Sequence, residues 1–360
     1  MQSLQESVLE EFMQRSFGAQ FLFIPQKYRK GTSQREPADL AWTVEDFVIL
    51  FYLRSSVEPL SAQIEHNRRQ AAGYYRLWST EKTAYKLCGK NRFGDECSID
   101  FKKVKNYLCI LVVSERCGIH FAPPLTSSMA NAVLVIPDLF VHWVASFGGT
   151  IVDLLGIIDI YLDRTIGMDT TVESAFSMLK ILVDKYVNDS VLKADPDRKY
   201  LSGTVHKDYM FLWNYLAQMR VPATFGGAIQ DVKGREQIAS LFGDLMLLEY
   251  ASLAAGAETA IQVSEPPMFK KWVVIKIDGL YYSFVVGTVH MGSNNTVEVT
   301  KSGIEACRNG AGEMESIYIQ YGNVMNANEY RCPLMFVIPE KLPRKHSIAL
   351  AEKIINKGQV

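Results

Sequence analysis

The sequence predicts an α/β chain in two domains, an N-terminal mixed sheet with flanking helices over residues 1–190 and a C-terminal α+β domain over 191–360. Three observations predict it. Val48-Ile49-Leu50-Phe51 and residues 107–113 (YLCILVV) are continuous apolar runs, the pattern of strands covered on both faces. Between them, residues 60–78 carry apolar side chains at helical spacing over enough length to lay a helix on a sheet and return the chain. Far downstream, two apolar runs at 272–277 and 281–286 flank Asp278-Gly279, a dipeptide that supplies the backbone angles of a tight hairpin.

Taken in order, Leu4, Val8, Leu9, Phe12 and Met13 predict an amphipathic helix over 3–15, with Gly18 as its stop. Residues 20–24 predict a strand ending at Pro25, and a polar connecting segment runs to Pro37. Residues 38–44 and 47–53 predict a hairpin turning at Glu45-Asp46, and Pro59 stands where proline is tolerated, at the start of the 60–78 helix. After the 107–113 strand come predicted strands at 132–136 and 140–145 and helices at 150–164 and 172–187. The polar stretch 193–207 reads as the linker. Helices at 209–219 and 235–255, strands at 296–299, 316–321 and 334–338, and a closing helix at 347–357 complete the second domain.

Net charge is −1, but residues 26–106 hold 15 Lys/Arg against 10 Asp/Glu, leaving 23 against 29 elsewhere, so the early region is the basic one. The six cysteines form no CxxC pair, which disfavours zinc and suits free thiols in a reducing compartment. The N-terminus lacks the apolar core of a secretory signal, and His142, Gly148, Gly149 and Asp153 interrupt the most apolar later stretch. A cytoplasmic protein without a membrane span is therefore expected. No GxxxxGK[ST] loop, GxSxG elbow or histidine pair at metal spacing occurs. Asp153 and Asp159, inside an apolar helix, read as a cap or a wet face.

One constellation has chemical content. Asp39 opens one strand of the predicted hairpin and Arg54 ends the other, so antiparallel pairing brings a carboxylate and a guanidinium together beside a basic loop. Such a pair can hold a divalent cation against a phosphate, or be only a surface ion pair worth little. The helix at 60–78 interleaves His66, Arg68, Arg69 and Arg76 with Tyr74, Tyr75 and Trp78, which suits nucleic acid, although Ile64, Ala71, Tyr74 and Trp78 also form the face a sheet would bury.

The runs Arg35-Glu36-Pro37-Ala38-Asp39-Leu40 and Phe47-Val48-Ile49-Leu50-Phe51, followed by a helix containing Arg69-Gln70-Ala71-Ala72-Gly73, resemble the PD-(D/E)XK restriction-endonuclease-like group over the first third of the chain. The resemblance implies Asp39 as a metal-binding acid, Gln70 or its neighbour Arg69 as a supporting helix residue, and Glu10 or Glu11 as an acid of the first helix. Glu36 is a further metal candidate, so the implied Mg²⁺ ligands are Asp39, Glu36 and Glu11, with Asp39, Arg54 and Gln70 as the catalytic set. At Tyr52-Leu53-Arg54 the chain departs from the pattern, where the group has an acid and, two positions later, a lysine. A tyrosine cannot replace the acid, and a guanidinium clamps phosphate without activating water.

The expectation is a nucleic-acid-binding protein with a degenerate metal-dependent nuclease fold and weak or absent hydrolysis, contacting DNA or RNA through Lys27, Arg29, Lys30, Arg35, Arg68 and Arg69. The alternative is a non-catalytic interaction protein that keeps the fold as a scaffold. In either case the C-terminal domain would serve homo-oligomerisation or a protein partner.

Overall fold

The computed structural model describes residues 6–15, 22–30, 32–44, 46–54, 58–79, 86–92, 94, 96–125, 130–147, 149–165, 167–194, 268–277, 280–290, 315–323, 330–331 and 346–359. Helix α1 (Glu6–Arg15) leads to β1 (Leu22–Pro25), a small hairpin of β2 (Tyr28–Lys30) and β3 (Ser33–Arg35), and a larger one of β4 (Leu40–Val44) and β5 (Phe47–Arg54). Next come α2 (Leu60–Ser79), β6 (Lys86–Asn91), β7 (Glu96–Asp100), β8 (Asn106–Val113), β9 (His120–Ala122) and β10 (Ala130–Pro137). Helices α3 (Asp138–Ser146), α4 (Ile151–Thr165) and α5 (Val172–Ala194) follow, and α6 (His346–Lys357) closes the chain.

Eight strands form one mixed sheet in the order β7-β6-β1-β4-β5-β8-β10-β9. Its centre, β5-β8-β10, is parallel, in register from Phe47↔Asn106 to Arg54↔Val113 and from Ala130↔Asn106 to Pro137↔Val113. Toward the other edge, β5, β4, β1, β6 and β7 pair antiparallel in succession. Between β5 and β8 the chain runs through α2 and the β6–β7 pair, a connection long enough to bring it back for a parallel strand, which a hairpin cannot do. Burial follows the sequence: Phe47 to Tyr52 and Tyr107 to Val113 are buried without interruption, so helices must cover both faces.

Alternation along the strands assigns the faces. Val48, Leu50 and Tyr52, with Tyr107, Cys109, Leu111 and Val113, share a core with Ala71 and Tyr74 of α2. On the opposite face Phe51 packs on Phe12 of α1, with ring centroids 6.4 Å apart. Strands β1 and β6 approach closely at buried Gly89, where any Cβ would lie 2.1 Å from the Ile24 carbonyl oxygen.

Three expectations are corrected. Residues 140–145 lie in α3, not a strand: Phe140, Val141, Val144 and Ala145 are buried, the spacing of one helical face, and extended Pro137 (φ −74°, ψ 145°) with Asp138 in the first turn starts the helix. A six-residue apolar run satisfies both periodicities, and the cap decides. The polar segment before Pro37 contains the β2–β3 hairpin, in register Tyr28↔Arg35, Arg29↔Gln34 and Lys30↔Ser33. Finally, of the two readings of Asp153 and Asp159, the wet face is corrected, since both are buried, while the cap is found at Asp153. Asp153 accepts from the Thr150 N–H (2.8 Å) and hydroxyl (2.9 Å) while its own N–H donates to Thr150 Oγ1, a reciprocal cap that Tyr186 completes through a 2.6 Å bond to the other carboxylate oxygen.

Asp159 is the anchor of α6. It accepts from Lys353 and Lys357, and Lys357 also reaches Asp163 at 2.6 Å. The chain divides between Val187 and Asn188, and Ser347–Val360 belong with the first unit. The closing helix therefore completes the N-terminal unit and is not part of the domain assigned to 191–360.

In the second unit, β11 (Met268–Ile277), β12 (Leu280–His290), β13 (Glu315–Asn323) and β14 (Tyr330–Arg331) form a four-stranded sheet in chain order. The first pair is the expected hairpin, closing at Ile277↔Leu280, and β13 lies parallel to β12. The helices expected at 209–219 and 235–255 and the strands at 296–299 and 334–338 lie outside the described residues, as does nearly all of the 193–207 linker. Among the described residues no helix is long and apolar enough to cross a membrane.

Candidate nucleic-acid cleft

The chemistry-bearing groups gather where β4 begins and β5 ends, under the first half of α2. Register places Asp39 opposite Tyr52, because Leu40 pairs with Phe51. Asp39 and Arg54 thus belong to the sheet face covered by α2. The backbone N–H of Asp39 donates to Phe51 O at 2.9 Å, and its carboxylate accepts from the Leu53 N–H at 2.7 Å. The carboxylate closes the β4–β5 ladder where the β4 backbone leaves it. Arg54 turns toward α2, with one guanidinium nitrogen 3.3 Å from His66 Nε2 and another 3.3 Å from Glu58 Oε2.

Helix α2 is begun by Pro59, whose carbonyl accepts from the Ala62 and Gln63 N–H groups. Its inward stripe is polar near the strand ends and apolar beyond. Gln63 donates to Glu58 O at 2.7 Å, and its side-chain oxygen accepts from the Ser114 N–H and hydroxyl, tying the exit of β8 to the helix. Asn67 donates to Tyr52 O at 3.3 Å. Two buried atoms here, Asn67 Oδ1 and Arg54 Nε, meet no partner among the described residues.

Tyr52 occupies the position where the resemblance implies an acid. It is wholly buried, with its hydroxyl 3.4 Å from that of Tyr107. Burial first, then the Cys109 thiol, holds the Tyr52 phenol well above its usual pKa. Burial and Tyr52 do the same to Tyr107, so both remain neutral. Tyr52 is a core residue.

The three carboxylates implied as magnesium ligands each have another partner. Asp39 is one carboxylate with an oxygen engaged by a backbone N–H, and Glu36 lies 2.5 Å from Lys27. Glu11 is not brought near: it holds His142 of α3 at 2.8 Å, on the face that α1 covers. His142 is accordingly a helix residue with a carboxylate partner. Among the described residues no group of three or more His, Cys, Asp or Glu side chains could hold a metal ion. Mg²⁺ needs octahedral oxygen ligation, and one or two carboxylates suffice only with substrate and water oxygens.

Beside this edge, the β2–β3 hairpin and α2 enclose an open cleft of about 630 Å³ lined by Lys27, Tyr28, Gln34, Arg35, Glu36 and, from α2, His66, Arg69, Gln70, Gly73 and Tyr74. Gln70 reaches across it to Glu36 O at 3.4 Å. Tyr28 meets Tyr74 edge-on, with centroids 4.9 Å apart at 83°. His66 lines the cleft and touches Arg54, so it joins the cleft to the Asp39 edge. Arg68 faces a neighbouring depression with Glu65, Arg69 and Arg76. Glu65 holds both Arg68 (3.0 Å) and Arg69 (2.7 Å), and those hydrogen bonds, Arg68 first, lower its pKa.

Of the expected residues, Lys27, Arg35, Glu36, Arg69 and Gln70 therefore share one cleft, and Asp39 and Arg54 share the adjoining strand ends. Arg29 and Lys30 lie in β2, and their side chains are outside the described residues. Sequence reasoning named His66 and Tyr74 of α2 as suited to nucleic acid, passed over Gly73, and missed Tyr28 and Gln34 as lining residues because it missed the hairpin. The only signal for that hairpin was Gly31-Thr32 between two three-residue polar runs, with no apolar alternation to mark strands. No family model matches the chain, and neither a curated protein nor a solved structure does.

Proposed function

We propose that this protein binds nucleic acid through the cleft between the β2–β3 hairpin and α2, on a PD-(D/E)XK-like scaffold that no longer hydrolyses phosphodiesters efficiently. The observation that carries the reading is the cleft lining: Lys27, Arg35 and Arg69 against the single acid Glu36, with His66 and two glutamines beside them. Cations at this density neutralise backbone phosphates, and amides supply hydrogen bonds. The scaffold half is supported by connectivity. Helix α1, the antiparallel strands β1, β4 and β5, helix α2 and the parallel strand β8 occur in that chain order, with the β2–β3 and β6–β7 pairs inserted among them, and an aspartate stands at the start of β4 beside the end of β5. Loss of hydrolysis is supported by the buried Tyr52 and by Arg54, a phosphate clamp in place of a water-activating lysine.

Fluorescence anisotropy with labelled DNA and RNA oligonucleotides, across a salt series with and without Mg²⁺, tests the reading. Three phosphate contacts give a log–log salt slope of about −2 to −3, and Lys27→Ala, Arg35→Ala and Arg69→Ala should weaken binding together. No binding at low salt, or no effect of the triple variant, removes the proposal. Cleavage by the wild type that Asp39→Asn abolishes would remove its second half.

A second reading, a non-catalytic interaction scaffold, is favoured by one feature: Lys27 and Arg69 are already ion-paired to Glu36 and Glu65. It expects no polyanion affinity and self-association or partner binding through the second unit, which light scattering on the whole chain would register.

A further inference from the structure

Resting on the cleft as a nucleic-acid site, we infer that it takes a single unpaired strand, with one base laid against Tyr28, and rejects the duplex. A recess of about 630 Å³ has the dimensions of a small-ligand pocket. Duplex DNA is read by a convex element entering a groove roughly 12 Å wide, and it cannot enter a concavity of this size. One unstacked nucleotide can. The aromatic wall is already built, because Tyr28 is half-buried and braced edge-to-face by Tyr74, itself a buried member of the α2 core. A base meeting Tyr28 therefore finds a ring whose conformational freedom was surrendered on folding. Around that ring, Lys27 and Arg35 from the hairpin side and Arg69 from the helix side stand where flanking phosphates would pass, and Gln34 and Gln70 are within the same lining. Alternating cations with a fixed ring is the arrangement that holds single strands without regard to sequence.

The test uses the full chain and three fluorescein-labelled probes of equal length: a mixed-sequence single strand, the same strand made abasic throughout, and its duplex. The abasic strand keeps every phosphate and removes every base. The base-bearing strand should bind about 5- to 150-fold more tightly than the abasic one, the value of one stacking contact, and more tightly than the duplex. Tyr28→Ala should erase that margin, bringing the base-bearing and abasic strands to equal affinity, and Tyr28→Phe should preserve it. An abasic strand or a duplex that binds as well as the single strand overturns the inference and leaves the phosphate cleft standing. So does a margin that persists in a Tyr28→Ala protein of native circular dichroism. If that variant fails to fold, the wild-type probe comparison and Tyr28→Phe decide alone. Binding of none of the three probes removes the parent reading and this one together.

Discussion

Replacing Asp39 by alanine separates a structural role from a chemical one. Its carboxylate accepts from the Leu53 N–H at 2.7 Å, a charge-assisted bond at the point where the β4–β5 ladder ends. Hydrogen bonds to charged groups contribute about 1.5–3 kcal/mol. Asp39 is half-buried, so water can partly replace the lost acceptor, and the expected cost of Asp39→Ala is about 1–2 kcal/mol. For a unit of this size that is a Tm lowered by about 2–8 °C. Asp39→Asn keeps an acceptor oxygen of nearly the same shape and should cost less than about 1 kcal/mol. Urea melts of the two variants, read as midpoint at constant slope, measure the difference. The strand-clip account fails if alanine is as stable as wild type, or if asparagine is as damaging as alanine. The pair also bears on activity, since a carboxylate required for metal chemistry would not tolerate asparagine even in a stable protein.

Placing at position 52 the acid that the resemblance implies, by Tyr52→Glu, should cost more than about 3 kcal/mol, because a carboxyl group would be wholly buried beside Tyr107 and Cys109; a Tyr52→Glu, Arg54→Lys protein with a wild-type melting curve would contradict this. The Asp163 carboxyl is held below its usual range chiefly by the Lys357 hydrogen bond, so its contribution to docking α6 is present above the ordinary carboxylate pKa and lost as pH falls through the depressed one. Lys353, raised chiefly by Asp159, contributes below its ordinary pKa and loses that contribution as pH rises through the raised value. The protection factors of the Ile354 and Ile355 amides, with the intrinsic pH dependence of exchange divided out, should therefore be greatest near neutrality and fall toward both extremes, and a flat profile of protection would refute the anchoring role. Among the four described cysteines, iodoacetamide on the native protein should modify Cys88 and Cys97 before Cys109 and Cys117, both buried, with burial pushing the Cys117 thiol up to about 12; peptide mass spectrometry showing early labelling of Cys117 would count against the packing.

Legibility in the sequence tracked how local each signal is. The runs that became β5 and β8 were readable because a strand buried on both faces must be apolar at every position, and Pro59 marked the start of α2 within a residue. The meeting of Asp39 with the end of β5 was readable for a related reason, since a short hairpin leaves one register to choose. Asp153 and Asp159 were visible as anomalies in an apolar helix, yet their roles depend on Thr150 and Tyr186 in one case and on lysines nearly two hundred residues away in the other.

By itself, then, the sequence determined the central strands, the long helix α2 and the placing of Asp39 beside the end of β5, because hydrophobic period and turn chemistry are properties of neighbours along the chain. Tertiary structure alone decided that polar residues 28–35 form a ribbon facing α2, that Tyr28 stands against Tyr74, and that Glu11 serves His142 on the far side of the sheet. It also decided that the last helix returns to the first unit. Those outcomes are set by which surfaces remain to be covered once the sheet has formed, and no window of sequence contains that information.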